Sequence, residues 1–198
     1  MSNITAKQIA DLRAKTGIGM MECKNALVEA GGNEEKAMEI LRKKGAAKAA
    51  KRSERETKNG IIESYIHAGG KIGVMVEVLA ETDFVAKNEE FKEFAHDVAL
   101  HIAAMAPKFV SRDEVPAEEV AKEREILLEE VKASGKPENI AEKIVEGRLS
   151  KFYSEICLLE QSFVKNPDLT INDLLNEKIS KIGEKIVISR FCRFEIGA

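Results

Sequence analysis

The spacing of apolar positions changes character several times along the 198 residues. Over residues 4–44 it is helical and comes in three short pieces. Thr5 is placed to cap the first piece, with Ile9 and Leu12 on its inner face, and Thr16-Gly17-Ile18-Gly19 breaks it. The second carries Cys23, Ala26, Leu27 and Ala30 at helical spacing and stops at Gly31-Gly32. Asn33 caps the third, which buries Ala37, Ile40 and Leu41. Residues 45–58 hold no apolar side chain larger than Ala and are made of strong helix formers, which predicts a solvated connecting helix. From Gly60 the period becomes alternating. Residues 60–67 and 71–79 are predicted as two strands joined at Ala68-Gly69-Gly70. Helical spacing returns with Phe91, Phe94, Val98, Ile102 and Met105, and Pro107 ends that helix.

The C-terminal half continues the alternation of elements. Residues 117–152 are predicted as a helical hairpin, with Val120, Leu127, Leu128 and Val131 on one arm and Ile140, Ile144, Leu149 and Phe152 on the other. Ser134-Gly135-Lys136-Pro137 is the turn, Gly suiting a C-cap and Pro the first turn of the next helix. At 1.5 Å per residue, arms of about 15 residues extend roughly 20 Å. The apolar run 156–163 suits a strand or a packed loop, and residues 169–182 a last helix. Residues 186–196 read as a final strand with Ile186, Ile188, Cys192, Phe194 and Ile196 on one face and Arg190 as the exception. The expected class is α+β: a three-helix domain over 1–45, a basic linker helix over 46–59, and a core over 60–198. That core is a small antiparallel sheet packed with helices and carrying the hairpin.

Composition removes several functional classes. An apolar fraction of 44% with 33% charged residues fits a soluble, helix-rich chain. No apolar run approaches the ~18 residues of a membrane span. Met1-Ser2-Asn3-Ile4-Thr5 has no signal-peptide core, so a cytoplasmic location is expected. Cys23, Cys157 and Cys192 are an odd number at wide spacings, neither a disulfide framework nor a zinc pattern. Enzyme motifs fail as well. Gly70-Lys71 is followed by Ile72 and lacks the glycine of a P-loop at position 65, which is Tyr. Gly17-Ile18-Gly19 has no third glycine and precedes no βαβ unit. His96 and His101 lie five apart, on different faces of one helix. No enzyme, metal or cofactor is expected.

One alternative is nucleic-acid binding. Residues 42–58 carry Arg42, Lys43, Lys44, Lys48, Lys51, Arg52, Arg55 and Lys58 against Glu54 and Glu56, a run able to line phosphates of RNA or the ribosome. It holds no aromatic for stacking, and the net charge of the whole chain is −3, so direct nucleic-acid binding is the lesser reading.

The most informative string is Glu81-Thr82-Asp83-Phe84-Val85-Ala86-Lys87-Asn88, between strand and helix patterns. A carboxylate followed by a phenylalanine suits a probe that pushes into another surface. Spacing alone favours a simpler arrangement, with Thr82 or Asp83 capping the next helix and Phe84 tucked under it.

The identity of the string changes that preference. Glu77-Val78-Leu79-Ala80-Glu81-Thr82-Asp83-Phe84-Val85-Ala86-Lys87 resembles a signature of the translation elongation factor Ts family, with Leu79 where Asn is usual and Ala80 where Cys or Ser is usual. Leu12-Arg13-Ala14-Lys15-Thr16-Gly17-Ile18-Gly19-Met20-Met21-Glu22-Cys23-Lys24-Asn25-Ala26-Leu27 resembles its N-terminal signature, L-R-x-x-T-G-x-G-M-M-D/E-x-K-x-A-L. Tyr65-Ile66-His67, Gly135-Lys136-Pro137, Glu146-Gly147-Arg148 and Arg190-Phe191-Cys192-Arg193-Phe194-Glu195 extend the match in order along the chain.

The resemblance implies a guanine-nucleotide exchange factor that binds the GDP form of elongation factor Tu. It implies an N-terminal domain of ubiquitin-associated-like type, with Arg13, Met20 and Met21 at partner contacts. Thr82, Asp83, Phe84 and Val85 fall in the contact string, Asp83 and Phe84 matching the residues that intrude near the nucleotide's Mg²⁺. His67, Ile182 and Gly183 match further contacts. Longer members carry two core modules where this chain has one. A single module leaves sheet edges and apolar surface uncovered, so a homodimer is expected. Cys192 is a candidate contact across it, with a buried reduced thiol as the competing reading.

Overall fold

The computed structural model describes residues 4–133 and 138–197. The turn expected at Ser134-Gly135-Lys136-Pro137 lies outside them, as do Met1, Ser2, Asn3 and the side chain of Ile140. The class is α+β, with helices around a small antiparallel sheet. Two compact units form. One comprises Met1–Ile62, Glu77–Ala95 and Asp173–Ile188; the other comprises Glu63–Val76, His96–Asn172 and Ser189–Ala198.

In the first unit α1 (Ala6–Thr16), α2 (Met20–Glu29) and α3 (Glu34–Lys51) pack around Leu12, Cys23, Ala26, Leu27, Ala37 and Leu41. Their starts follow the sequence signals. Thr5 Oγ1 accepts the Gln8 N–H at 3.2 Å while Gln8 Oε1 accepts the Thr5 N–H at 2.9 Å, a reciprocal cap. Asn33 Oδ1 accepts the Lys36 N–H at 2.9 Å. The boundary expected at residue 45 falls inside α3, which runs on to Lys51 before the chain turns at residues 52–54. The reason lies in packing. Gly45 is buried where α3 meets α8 (Ile171–Ile182), and a Cβ there would lie in ordinary contact, 3.7 Å from the Asn176 carbonyl and the Ser180 side chain.

The three-stranded sheet has the order β1 (Asn59–Ile66), β2 (Ile72–Ala80), β5 (Ile186–Glu195). The predicted hairpin closes through the His67 N–H on the Ile72 carbonyl at 2.9 Å. Val74, Val76, Val78 and Ala80 alternate along β2 as its buried face. A short α4 (Asp83–Lys87) follows, then α5 (Glu89–Met105), where Asn88 Oδ1 accepts the Glu90 N–H at 2.8 Å. Phe91, Phe94, Val98 and Ile102 are fully buried, as the spacing predicts, whereas Met105 is exposed at the helix end.

In the second unit α6 (Ala117–Ala133) and α7 (Glu138–Ile156) form the predicted hairpin. Its own core is Leu127, Val131, Ala141, Val145 and Leu149, and Arg124–Glu146 and Arg148–Glu130 pair across it. The apolar run at 156–163 becomes the end of α7, a 3₁₀ turn over Leu158–Glu160 and β3 (Ser162–Phe163). β3 pairs antiparallel with β4 (Asn166–Thr170), a strand whose Asn-Pro-Asp sequence gives no periodic signal. The last strand is covered unevenly along its length. Ile186 and Ile188 are buried, but Cys192, Phe194 and Ile196 are exposed, so the apolar face of β5 is covered only at its start.

His101 on α5 is wholly buried in this unit. Its Nδ1 accepts the Val164 N–H at 3.2 Å, which leaves Nε2–H to donate to Gln161 Oε1 at 3.0 Å and fixes a neutral ring. Burial lowers its pKa from the ordinary 6.5, against the Gln161 hydrogen bond. The unfolded chain therefore binds a proton that the folded chain refuses. Stability is full above the unfolded value and falls as pH drops below it toward the folded value. Urea midpoints measured from about pH 7.5 to 5.5 are expected to fall for the unsubstituted chain, and His101→Gln is expected to flatten that slope. Parallel profiles for the two proteins would refute the assignment.

Candidate functional site

β2 delivers the chain to Thr82, whose extended backbone (φ −124°, ψ 159°) starts α4. Thr82 caps this helix, its Oγ1 accepting the Val85 N–H at 3.4 Å. The capping half of the simpler arrangement therefore holds, but Phe84 is not tucked under the helix: it is 82% exposed. Leaving a phenylalanine in water forgoes about 1.5–3 kcal/mol of burial. Asp83 is exposed beside it and pairs with Lys87 at 2.7 Å. The Lys87 hydrogen bond, and then its charge, lower the pKa of the Asp83 carboxyl, so it stays ionised. Val85, expected among the contact residues, is 8% exposed, as is Ala86. These two side chains anchor α4 while the other two project.

The base of α4 is held by two carboxylates. Glu184 Oε2 accepts the Thr82 N–H at 3.0 Å and its Oε1 accepts the Thr82 hydroxyl at 2.8 Å. Glu81 Oε1 accepts the Lys185 N–H at 2.6 Å, and both its oxygens accept Arg55 Nη1 at 3.2 Å. That backbone N–H, with Arg55 behind it, lowers the Glu81 pKa. Asn59 Nδ2 donates to the Glu81 carbonyl at 2.9 Å. Lys185 Nζ donates to the carbonyls of Ser53 at 2.6 Å and Arg55 at 2.8 Å. Ile182 and Gly183, both half-buried, end α8 immediately before Glu184. Gly183 has φ +87°, a left-handed residue that stops the helix where its N–H reaches the Ile179 carbonyl at 3.0 Å. Through Glu184 the structure ties the chain leaving α8 to Thr82 at the start of α4.

Arg13, Met20 and Met21 lie in the same unit and are exposed, the two methionines at the first turn of α2. Gly17, between α1 and α2, has φ +67° and takes the Lys181 side chain against its open Cα; Lys181 also pairs with Glu90. His67 belongs to the other unit, exposed at the hairpin turn, with the Tyr65 hydroxyl 3.1 Å from its Nδ1. Cys192 is an exposed free thiol in the single chain. In the basic segment Arg42, Lys43, Lys44, Lys48, Arg55 and Lys58 each lie within 4 Å of a carboxylate of this chain. Among the described residues no helix is long and apolar enough to cross a membrane.

Glu184 escaped the sequence reading. It lies 102 residues from Thr82, and a glutamate after a helix-ending glycine carries no local signal.

Fold and site together define an α+β protein that presents an apolar projection on a short, firmly based helix. A family model described as elongation factor TS matches residues 4–198. The chain is 61% identical over 195 residues to elongation factor Ts of Alkaliphilus metalliredigens, covering 98% of this chain and 90% of that one. It is 59% identical over 194 residues to elongation factor Ts of Carboxydothermus hydrogenoformans, covering 98% and 89%. It is also 56% identical over 197 residues to elongation factor Ts of Desulfosudis oleivorans, covering the whole of both chains. The chain belongs to the elongation factor Ts family and so to the translation elongation factors.

Thr82→Val keeps the branched shape and removes the hydroxyl that both caps α4 and donates to Glu184. Urea unfolding is expected to show a loss of about 1 kcal/mol, the usual cost of a missing helix cap. Unchanged stability would mean that the cap is not holding α4.

Proposed function

We propose that this chain is a guanine-nucleotide exchange factor that binds elongation factor Tu in its GDP form and promotes GDP release during translation elongation. The observation that carries the reading is Phe84, 82% exposed on a helix that Val85 and Ala86 anchor. A buried base and an exposed tip suit insertion into another protein. Arg13, Met20 and Met21 supply a second contact on the GTPase; exposed methionines adapt to the groove they meet. Ile182, Gly183 and His67 complete the contact set.

The mechanism is electrostatic. GDP and Mg²⁺ hold one another on the GTPase through charge. Asp83 and Phe84, pushed toward that Mg²⁺, disturb its surroundings and remove part of the attraction that retains GDP. Binding of exchange factor and of nucleotide are then negatively coupled, and the coupling is reciprocal: incoming nucleotide expels the factor. No bond is made or broken by a side chain of this protein, so it is not an enzyme in the chemical sense and needs no cofactor. Its place of work is the cytoplasm. RNA binding through residues 42–58 has less in its favour, because six of the cations there already face carboxylates of the chain.

A homodimer belongs to the same reading. In the second unit Ile66, Met75, Phe194 and Ile196 on the sheet strands and the residue after them are exposed, at 66%, 48%, 69% and 74%. Gly73 lies against Ile66, which puts Ile66 and Met75 on one face of the hairpin. Arg193 donates to the Ala103 carbonyl of α5, so its neighbours Cys192 and Phe194 point away from that helix. An apolar sheet face of this kind fits a second copy of the chain. Light scattering is expected to give twice the 21.9 kDa chain mass, and Phe194→Asp to shift it toward the single-chain value. A single-chain mass for the unsubstituted protein would exclude the dimer.

The direct test is release of a fluorescent GDP analogue from elongation factor Tu. Substoichiometric amounts of the chain are expected to accelerate release. Phe84→Ala is expected to slow it by about tenfold or more, equivalent to ~1.4 kcal/mol. Its unfolding free energy should change by less than about 0.5 kcal/mol, as is usual for an exposed side chain. Wild-type rates from Phe84→Ala would remove Phe84 from the mechanism.

A further inference from the structure

We infer that Glu184 is a positioning residue for exchange, acting through Thr82 to set the direction in which Phe84 projects; this rests on the exchange-factor reading above. Phe84 has almost no packing of its own, so its direction is inherited from the backbone of α4. α4 has five residues, far below the length at which an isolated helix persists in water. Its orientation must come from outside. Val85 and Ala86 fix its depth, but two small apolar contacts leave rotation about the strand end open.

The polar contacts close that freedom. The Glu184 carboxylate takes both donors of Thr82, its N–H and its hydroxyl, in one two-pronged grip. The hydroxyl proton is thereby committed to Glu184, which leaves the oxygen's lone pairs aimed at the Val85 N–H. The cap of α4 and the grip of Glu184 are one hydrogen-bond chain. A second exchange runs the other way, the Glu81 carboxylate taking the Lys185 N–H. Residues 81–82 and 184–185 thus trade side chain for backbone in both directions, the logic of a capping box across 102 residues. Charge-assisted bonds of this type are stronger and more directional than neutral ones. Loss of Glu184 leaves the Thr82 N–H and hydroxyl without that partner and unlocks the cap, while Glu81, Arg55 and Asn59 still hold the strand end in place.

Two measurements on the full chain test this. The first is amide hydrogen exchange of the free protein. In Glu184→Ala the Thr82 and Val85 amides are expected to lose protection while those of Val74 and Val76 in β2 keep theirs. The second is release of the fluorescent GDP analogue from elongation factor Tu. Glu184→Ala is expected to lower the acceleration by roughly tenfold to a hundredfold, the scale on which misplaced groups act. Glu184→Gln, which keeps one acceptor for Thr82, is expected to fall between. In the Phe84→Ala background the Glu184→Ala change is expected to add little, because the side chain it orients is gone. A merely structural role would give independent, multiplying losses from the two substitutions and would overturn the inference. So would unaltered α4 protection, or wild-type exchange rates from Glu184→Ala. If the unsubstituted chain does not accelerate release at all, the exchange-factor reading itself has failed, and the positioning role falls with it.

Discussion

α4 is five residues long, and a helix of that length has no means of holding itself in water. Everything informative about the site follows from how the surroundings supply what α4 lacks. Buried Val85 and Ala86 give it a floor, the carboxylate of Glu184 takes both donors of Thr82, and the carboxylate of Glu81 returns the contact at Lys185. Lys185 also donates to the carbonyls of Ser53 and Arg55, so the exit of α3 is drawn into the same set of bonds. The first unit is discontinuous in sequence, and these bonds join its pieces at the point where the projecting residues begin.

The distribution of apolar surface is the second physical theme. The chain buries Leu12, Leu27, Phe91, Phe94 and Ile102 completely, yet leaves Phe84, Phe194 and Ile196 in water. Scattered exposed apolar residues are ordinary, but aromatic rings set on otherwise well-packed elements are not a consequence of running out of core. Each costs the chain stability that burial would have supplied. Charged pairs show the opposite economy: most here are solvent-exposed and individually weak, and their effect is to neutralise local fields, most visibly along α3.

Much of this was legible in the residues. The caps at Thr5 and Asn33, the strand hairpin before and after Gly69-Gly70, the inner face of α5 and the two arms of the α6–α7 hairpin all followed from period and cap chemistry. Local signals are enough where an element's own residues decide its conformation. They failed at Gly45, where the neighbour is a distant helix, and at β4, where a polar strand is made by its partner β3. They gave no sign that Val85 faces inward, because a five-residue helix has no periodicity to read.

The sequence by itself determined the class of fold, the order of its long periodic elements and the membership of the family, since each rests on local spacing or on the string itself. Only the tertiary structure decided that Phe84 stands free, that Val85 does not, and that Glu184 reaches Thr82 across 102 residues. Solvent exposure and long-range hydrogen bonds are properties of how elements are brought together. No pattern within either element carries them, because the closing of so long a loop is fixed by the packing of the whole unit.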